Sequence, residues 1–287
     1  MVWIKLASHD TGLGVMGLVF GLLGPLEVRA RDERAPLGAP MVRALLASLL
    51  LWPGQFVSVS RLAGALWHTP PISANANLRT YAARLREVLG RLDLADRLTT
   101  QRSGGGYRLT ASRHEVDAEE FARLATRGRM ALCSGNAAVA VDDLTSALAL
   151  WRGRAGEDAP GNGALVRHLL ALDEQRLVTM EDLAEARLAA GHTTGLVSNL
   201  RAIVFEHPLR ERPWSFLMRA LYQAGDPSAA LIAFDQLRAA FREGLGIEPS
   251  VELQRLQVSI LRRDDAAVAA RPSPVPFRLV SSLAAGA

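Results

Sequence analysis

The chain has 287 residues, 49% of them hydrophobic and 22% charged, with a formal net charge of +4; that length accommodates two domains of ordinary size, each with its own core. The charge is unevenly placed, with 14 Lys and Arg against 7 Asp and Glu up to Arg113, and 19 against 22 beyond it, as in a polyanion-binding module joined to an acidic helical one. The single cysteine, Cys133, excludes an intramolecular disulfide and a multi-cysteine zinc or iron–sulfur site; a reducing cytoplasm is the expected location, with Cys133 a small buried hydrophobe in the run MALCSG.

The stretch from Val2 to Leu26 is largely apolar, but Ser8, His9, Asp10 and Thr11 interrupt it. No run of about 20 apolar residues remains to span a bilayer, so neither secretion nor a membrane anchor is expected, and Met16 is an alternative natural start. Residues Leu18 to Ala30 mix branched apolar residues with Gly21, Gly24 and Pro25, the pattern of a small antiparallel sheet. A helix opens at Pro40 and ends at Pro53-Gly54, burying Val42, Leu45, Leu46, Leu49 and Leu50. After a short strand at Val57, Ser58 or Ser60 caps a second helix with Leu62, Leu66 and Trp67 inward.

The third helix is expected from Ser73, as its cap, to Leu89. With Leu78 at the centre of the inner face, Tyr81, Ala82, Leu85, Val88 and Leu89 fall on the same side. The outer face carries Ala76, Arg79, Thr80, Ala83, Arg84 and Glu87, with Asn75 and Arg86 toward one edge and Asn77 toward the other. Alanines let a helix sink into the major groove while guanidinium groups on its flanks reach base edges or phosphates; Glu87 works against this locally. Residues Arg97 to Thr110 then read as a β-hairpin with Ser103-Gly104-Gly105-Gly106 able to adopt the positive φ of its turn and Arg102 near its tip. A phosphate-cradling glycine loop needs a following lysine, and the only lysine is Lys5. A basic helix followed by a glycine-tipped hairpin is the order of a winged helix-turn-helix.

Beyond Arg113 seven helices are expected: Asp117–Ser134, Ala137–Trp151, Leu165–Ala190, Thr193–Glu206, Glu211–Ala224, Ser228–Glu243 and Ser250–Arg263. Turn glycines recur at Gly135, Gly191 and Gly225, separated by 56 and 34 residues; the second spacing is that of tetratricopeptide repeats, stacked helix pairs that bury a continuous core. Trp151, Trp214 and Tyr222 fit core positions or a concave groove, core being the commoner use. Arg152 to Gly163 reads as a flexible surface connection, and the Ala-, Pro- and Ser-rich stretch after Arg263 as disorder.

These residues are similar to the Streptomyces antibiotic regulatory protein family over roughly Leu18 to Arg263. The matching segments are LLGPLEV (Leu22 to Val28), RALLASLLL (Arg43 to Leu51), VSVSRLAGALW (Val57 to Trp67), LRTYAARLR (Leu78 to Arg86), GGGYRL (Gly104 to Leu109), ALALWRG (Ala147 to Gly153), HPLRER (His207 to Arg212) and LGIEPSVEL (Leu245 to Leu253). The resemblance implies a mainly α chain of two parts: an OmpR-type winged helix-turn-helix (α+β, 18–113), then an all-α, tetratricopeptide-like bacterial transcriptional activation domain (114–263). An extension (1–17) and a tail (264–287) flank them. It further implies activation of a secondary-metabolite cluster through promoter direct repeats, bound as a homodimer on double-stranded DNA, and contact with the sigma and alpha subunits of RNA polymerase. No cofactor or metal is implied. Carried over by position, the DNA-binding residues are Asn77, Arg79, Thr80, Arg84, Arg86 and Arg102. The chain departs from the family pattern at Met41, Ala76 and Glu87, where a lysine, an asparagine and a basic residue are usual. Two other classes compete. A helical-repeat interaction scaffold with a passive first domain uses the same elements, whereas an enzyme finds no HExxH, GxSxG or Walker lysine here.

Overall fold

The computed structural model describes residues 19–30, 33–101 and 105–269. They form two compact units, one of residues 19–123 with 149–174, the other of residues 124–148 with 175–269. The chain leaves the first unit after Arg123, returns to it at Ala149 and leaves it again after Glu174.

In the first unit, β1 (Phe20–Gly21), β2 (Glu27–Ala30) and β3 (Glu33–Arg34) form an antiparallel sheet in that order. The two-residue edge strand β3, exposed and charged, carries no apolar alternation and is invisible in the sequence pattern. Helix α1 (Pro40–Leu50) is more deeply buried than its expected stripe: besides Val42, Leu45, Leu46, Leu49 and Leu50, Ala44, Ala47 and Ser48 are buried. A helix apolar on nearly every side is a central one, and Ser48 satisfies its hydroxyl on the Ala44 carbonyl at 2.8 Å. After β4 (Val57–Ser58), helix α2 (Val59–Leu66) is capped by Ser58, whose Oγ accepts from the Arg61 N–H at 3.2 Å. Leu62 and Leu66 are buried; Trp67 lies past the helix end and is only half-buried.

Helix α3 (Ala74–Gly90) buries Leu78, Ala82, Leu85, Val88 and Leu89, as its periodicity requires, with Tyr81 half-buried. Ser73 precedes it but caps no backbone amide; its hydroxyl accepts instead from Asn77 Nδ2 at 3.3 Å. Strands β5 (Leu98–Thr100) and β6 (Gly106–Leu109) pair antiparallel with Thr100 opposite Tyr107, and β4 pairs the other edge of β6. Gly106, counted with the hairpin turn in the sequence, is instead a strand residue. A Cβ there would sit 2.4 Å from the Val57 carbonyl oxygen, so glycine is needed for close strand approach.

The segment expected to be a flexible connection, Arg152 to Gly163, is tethered to the first sheet. The N–H groups of Arg152, Gly156 and Glu157 donate to the carbonyls of Leu23, Leu22 and Gly24 at 2.8, 2.8 and 3.2 Å, and the Leu26 N–H donates to Asp158 at 2.7 Å. Asp117 accepts the Leu22 and Leu23 amides at 2.7 and 3.1 Å and Arg152 Nη2 at 2.9 Å, while Arg152 Nη1 pairs with Glu27 at 2.9 Å. Burial pushes the Asp117 carboxyl upward, against the pull of those amides and Arg152. Gly24, at φ +146°, leaves no room for a Cβ against Arg152 and Gly153. The segments LLGPLEV and WRG are thus two halves of one clamp.

A second tie in this unit is the Arg97–Glu115 ion pair at 2.8 Å. Hydrogen bonding from Arg97, ahead of that from Ser112, holds the Glu115 carboxyl down to about 2. A depressed carboxylate stabilises the fold fully above its unfolded value of about 4.5 and loses that contribution as pH falls toward about 2. Glu115→Gln is expected to cost roughly 1–3 kcal/mol at neutral pH and to flatten the stability profile across that acid window. Urea midpoints measured from pH 7 down to pH 3 check this; an unchanged profile contradicts it.

The second unit is helical. Helices α4 (Asp117–Cys133) and α6 (Leu165–Ala189), which belong to it from Leu124 and Gln175 onward, and α5 (Ala137–Ala149) are joined by α7 (Leu196–Glu206), α8 (Glu211–Gln223), α9 (Pro227–Leu245), α10 (Val251–Arg262) and α11 (Asp265–Ala269). Gly135, Gly191 and Gly225 follow α4, α6 and α8 at φ +79°, +71° and +83°. After each, the next N–H reaches back five residues to a helix carbonyl: Asn136 to Ala131, His192 to Arg187 and Asp226 to Leu221, at 2.9, 2.8 and 3.0 Å. These are Schellman caps, which a left-handed glycine permits. Five, nine and twelve positions after each glycine stand Ala140, Leu144 and Ala147, then Leu196, Leu200 and Ile203, then Ala230, Phe234 and Leu237, all buried. Three helix pairs therefore repeat one packing scheme. The 56-residue spacing between the first two glycines spans residues 149–174, the excursion into the first unit.

Glu181 and Asp182 on α6 are 2% and 4% exposed. Arg212 meets them at 3.2 and 2.7 Å and Glu185 at 2.9 Å; Arg210 reaches Glu181 at 2.8 Å and Arg129 reaches Asp182 at 3.0 Å. Trp214 is buried and donates its Nε1–H to the Pro208 carbonyl at 2.9 Å, and Trp151 is 8% exposed, so both occupy core positions. Cys133, expected in the core, is exposed. The buried positions of α4 run through Phe121, Ala125 and Leu132, and one further residue turns the side chain about 100° away. The tail expected to be disordered from Asp264 begins with α11, whose Val268 is 2% exposed and whose carbonyl accepts from Arg219; the apolar Val268 gains burial that composition alone does not reveal. The extension 1–17 and the rest of the tail lie outside the described residues. Among those residues no helix is long and apolar enough to cross a membrane.

Candidate nucleic-acid interface

The outer face of α3 is set by the burial of its inner one. Asn75, Ala76, Arg79, Thr80, Ala83, Arg84 and Glu87 are exposed, and Asn77 and Arg86 are half-buried. Ala76 and Ala83 form a low ridge with Arg79 on one flank and Arg84 on the other. Neither arginine has an acidic partner or a hydrogen bond among the described residues. Other arginines of this unit are neutralised: Arg43 by Asp158, Arg91 by Glu87, Arg97 by Glu115 and Arg152 by Asp117 and Glu27. Two unpaired guanidinium groups flanking small residues leave a positive, groove-sized face.

The remaining expected residues divide. The Thr80 hydroxyl donates to the Ala76 carbonyl at 3.2 Å, which leaves its oxygen able to accept. Asn77 is turned toward Ser73 at the helix start. Arg86 points at the hairpin, where its Nε donates to the Leu98 carbonyl at 3.0 Å and its Nη2 to the Thr100 hydroxyl. Arg102 lies outside the described residues. Glu87, the unfavourable charge of this face, is drawn to Arg91 one turn on, at 3.3 Å.

Between the first turns of α3 and the hairpin sheet is a cleft of about 200 Å³ lined by Val59, Asn75, Arg79, Arg86, Thr100 and Tyr107. Thr100 and Tyr107 were not foreseen as part of this surface. The signal was present in the hairpin register, which sets these two opposite each other, but nothing local in the sequence aims that strand pair at α3. Beside α2, Arg61 stacks over Trp52 at 4.1 Å, and His168 meets the same ring edge-on at 5.2 Å. Burial, then Arg61 and Arg167, lower the His168 pKa, so it is neutral at pH 7 and adds no charge here.

Residues 116–261 match the family model described as bacterial transcriptional activator domain. The chain is similar to the transcriptional regulatory protein MoaR1 of Mycobacterium tuberculosis, at 35% identity over 85% of this chain and 79% of the relative. It is also similar to the transcriptional regulator RedD of Streptomyces coelicolor, at 34% over 85% and 70%. The transcriptional regulatory protein EmbR of Mycobacterium tuberculosis is 34% identical over 86% of this chain, which spans 64% of that relative. A solved structure of EmbR in complex with a low-affinity phosphopeptide superposes with a TM-score of 0.79 at 32% identity, covering 88% of this chain and 69% of that one.

Proposed function

Since the chain belongs to the Streptomyces antibiotic regulatory protein family, whose members carry a bacterial transcriptional activator domain, we propose that it is a sequence-specific DNA-binding transcriptional activator. Its first unit acts as a winged helix-turn-helix. Helix α3 enters the major groove with Arg79, Thr80 and Arg84 facing base edges or phosphates and Asn77 beside them, and Arg102, between β5 and β6 in the sequence, meets the flanking backbone. The helical pairs of the second unit, tetratricopeptide-like in their caps, hold the sigma and alpha subunits of RNA polymerase at a promoter with direct repeats. The genes served are those of a secondary-metabolite cluster, and two copies share the DNA.

The observation that carries this reading is the uncompensated charge of Arg79 and Arg84 on either side of the Ala76–Ala83 ridge. A solvated basic face without function would have no need of small residues between its arginines. The test is an electrophoretic shift of the full chain on duplexes from its own upstream regions, titrated in salt. A salt-sensitive shift with footprints over direct repeats is expected; no association with any duplex contradicts it. In the same titration Arg102→Ala is expected to weaken binding evenly across sequences and reduce the log–log salt slope by about 0.9, since a phosphate contact carries no base information.

A further inference from the structure

Among the basic residues of α3, Arg86 alone is engaged by another element of the described fold. Its Nε and Nη2 form one edge of the planar guanidinium, the edge with which arginine grips a carboxylate or phosphate in two-point fashion. Both donors of that edge are taken by β5, one by the Leu98 carbonyl at 3.0 Å and the other by the Thr100 hydroxyl. Strand β5 is the outer strand of its sheet, paired only with β6, so its free side is available to receive the arginine. The side chain is half-buried, whereas Arg79 and Arg84 are exposed.

Resting on the reading of α3 as the DNA-facing helix, we propose that Arg86 is a positioning residue that locks the β5–β6 hairpin to α3. It fixes the distance and angle of the β5–β6 strand pair to the groove-facing helix, and it does not itself contact DNA. A protein that grips a duplex at two places needs those places held in register. Without the lock each would have to be ordered at the moment of binding, at a cost in affinity. The cleft lined by Asn75, Arg79, Arg86, Thr100 and Tyr107 is the gap that this bridge spans. A lysine at position 86 keeps the charge but offers a point ammonium in place of the planar two-donor edge, which separates a lock from a phosphate contact.

The test uses the full chain and the duplex that the wild type selects from a random-sequence pool. Arg86→Ala and Arg86→Lys are both expected to lose about tenfold in affinity, evenly over the base positions of that duplex, with the salt slope of the wild type retained. Thr100→Val is expected to lose less, and Arg86→Ala with Thr100→Val no more than Arg86→Ala alone, because both remove one bridge. Amide hydrogen exchange should speed up in β5 and β6 of Arg86→Ala while α1 keeps its protection. Near-wild-type binding by Arg86→Lys, a salt slope lower by about 0.9 in Arg86→Ala, lost preference at one base pair, or additive losses at positions 86 and 100 would each overturn the lock while leaving α3 as the DNA-facing helix. A wild-type chain that selects no duplex overturns both.

Discussion

Arg79→Ala combined with Arg84→Ala is expected to lower affinity for the selected duplex by roughly 2–6 kcal/mol, enough to erase a specific shift at physiological salt, while thermal unfolding stays within about 0.5 kcal/mol of the wild type. The two side chains flank a ridge of small residues and reach DNA independently, so their losses of roughly 1–3 kcal/mol each should nearly add. The fold should tolerate both changes because each guanidinium is exposed and no described carboxylate depends on it. Electrophoretic shifts paired with circular-dichroism melts decide the matter. A double variant that still shifts the duplex at wild-type concentration removes α3 from the interface.

Arg212→Ala is the substitution expected to cost most in stability, about 3 kcal/mol by chemical denaturation. Burial works against the Arg212 charge, but Asp182, Glu181 and Glu185 outweigh it and hold the guanidinium above its ordinary pKa. Removing the arginine leaves Glu181 and Asp182, 2% and 4% exposed, with only Arg210 and Arg129 to compensate. Breaking one side of a buried ion network costs more than the network contributes, because the orphaned charges stay out of water. Arg210 and Arg129 keep the expected loss at the lower end of the usual range. Arg212→Lys should recover little, since one ammonium cannot serve three carboxylates. A denaturation midpoint unchanged in Arg212→Ala contradicts this account. The residues His207 to Arg212 thereby acquire a physical role: the turn after α7 and the start of α8 each deliver an arginine to carboxylates on α6, and the turn offers a carbonyl to Trp214.

Helices were readable in the sequence where amphipathic period and stop residue agree. Gly135, Gly191 and Gly225 end their helices as left-handed glycines should, and the inner face of α3 followed from Leu78 at about 100° per residue. What was hidden depended on partners far along the chain. Arg152 to Gly163 has the composition of a loose loop, yet its amides serve carbonyls at positions 22 to 24; no local pattern carries that information. Cys133 stands one residue past the buried Leu132, off the inner face of α4. Arg86 sits on the wheel beside Arg79, and a wheel tells direction but not what waits there.

Residues 149–174 have a temporal consequence. A chain emerging from the ribosome completes α1, α2, α3 and the hairpin early, with Asp117 close behind, but Arg152 and Asp158, which also secure the Leu22 to Glu27 turn, arrive only after α4 and α5. The amino-terminal unit must therefore wait, incompletely closed, until synthesis has passed position 174, and a fragment ending at Arg113 would remain permanently in that unfinished state.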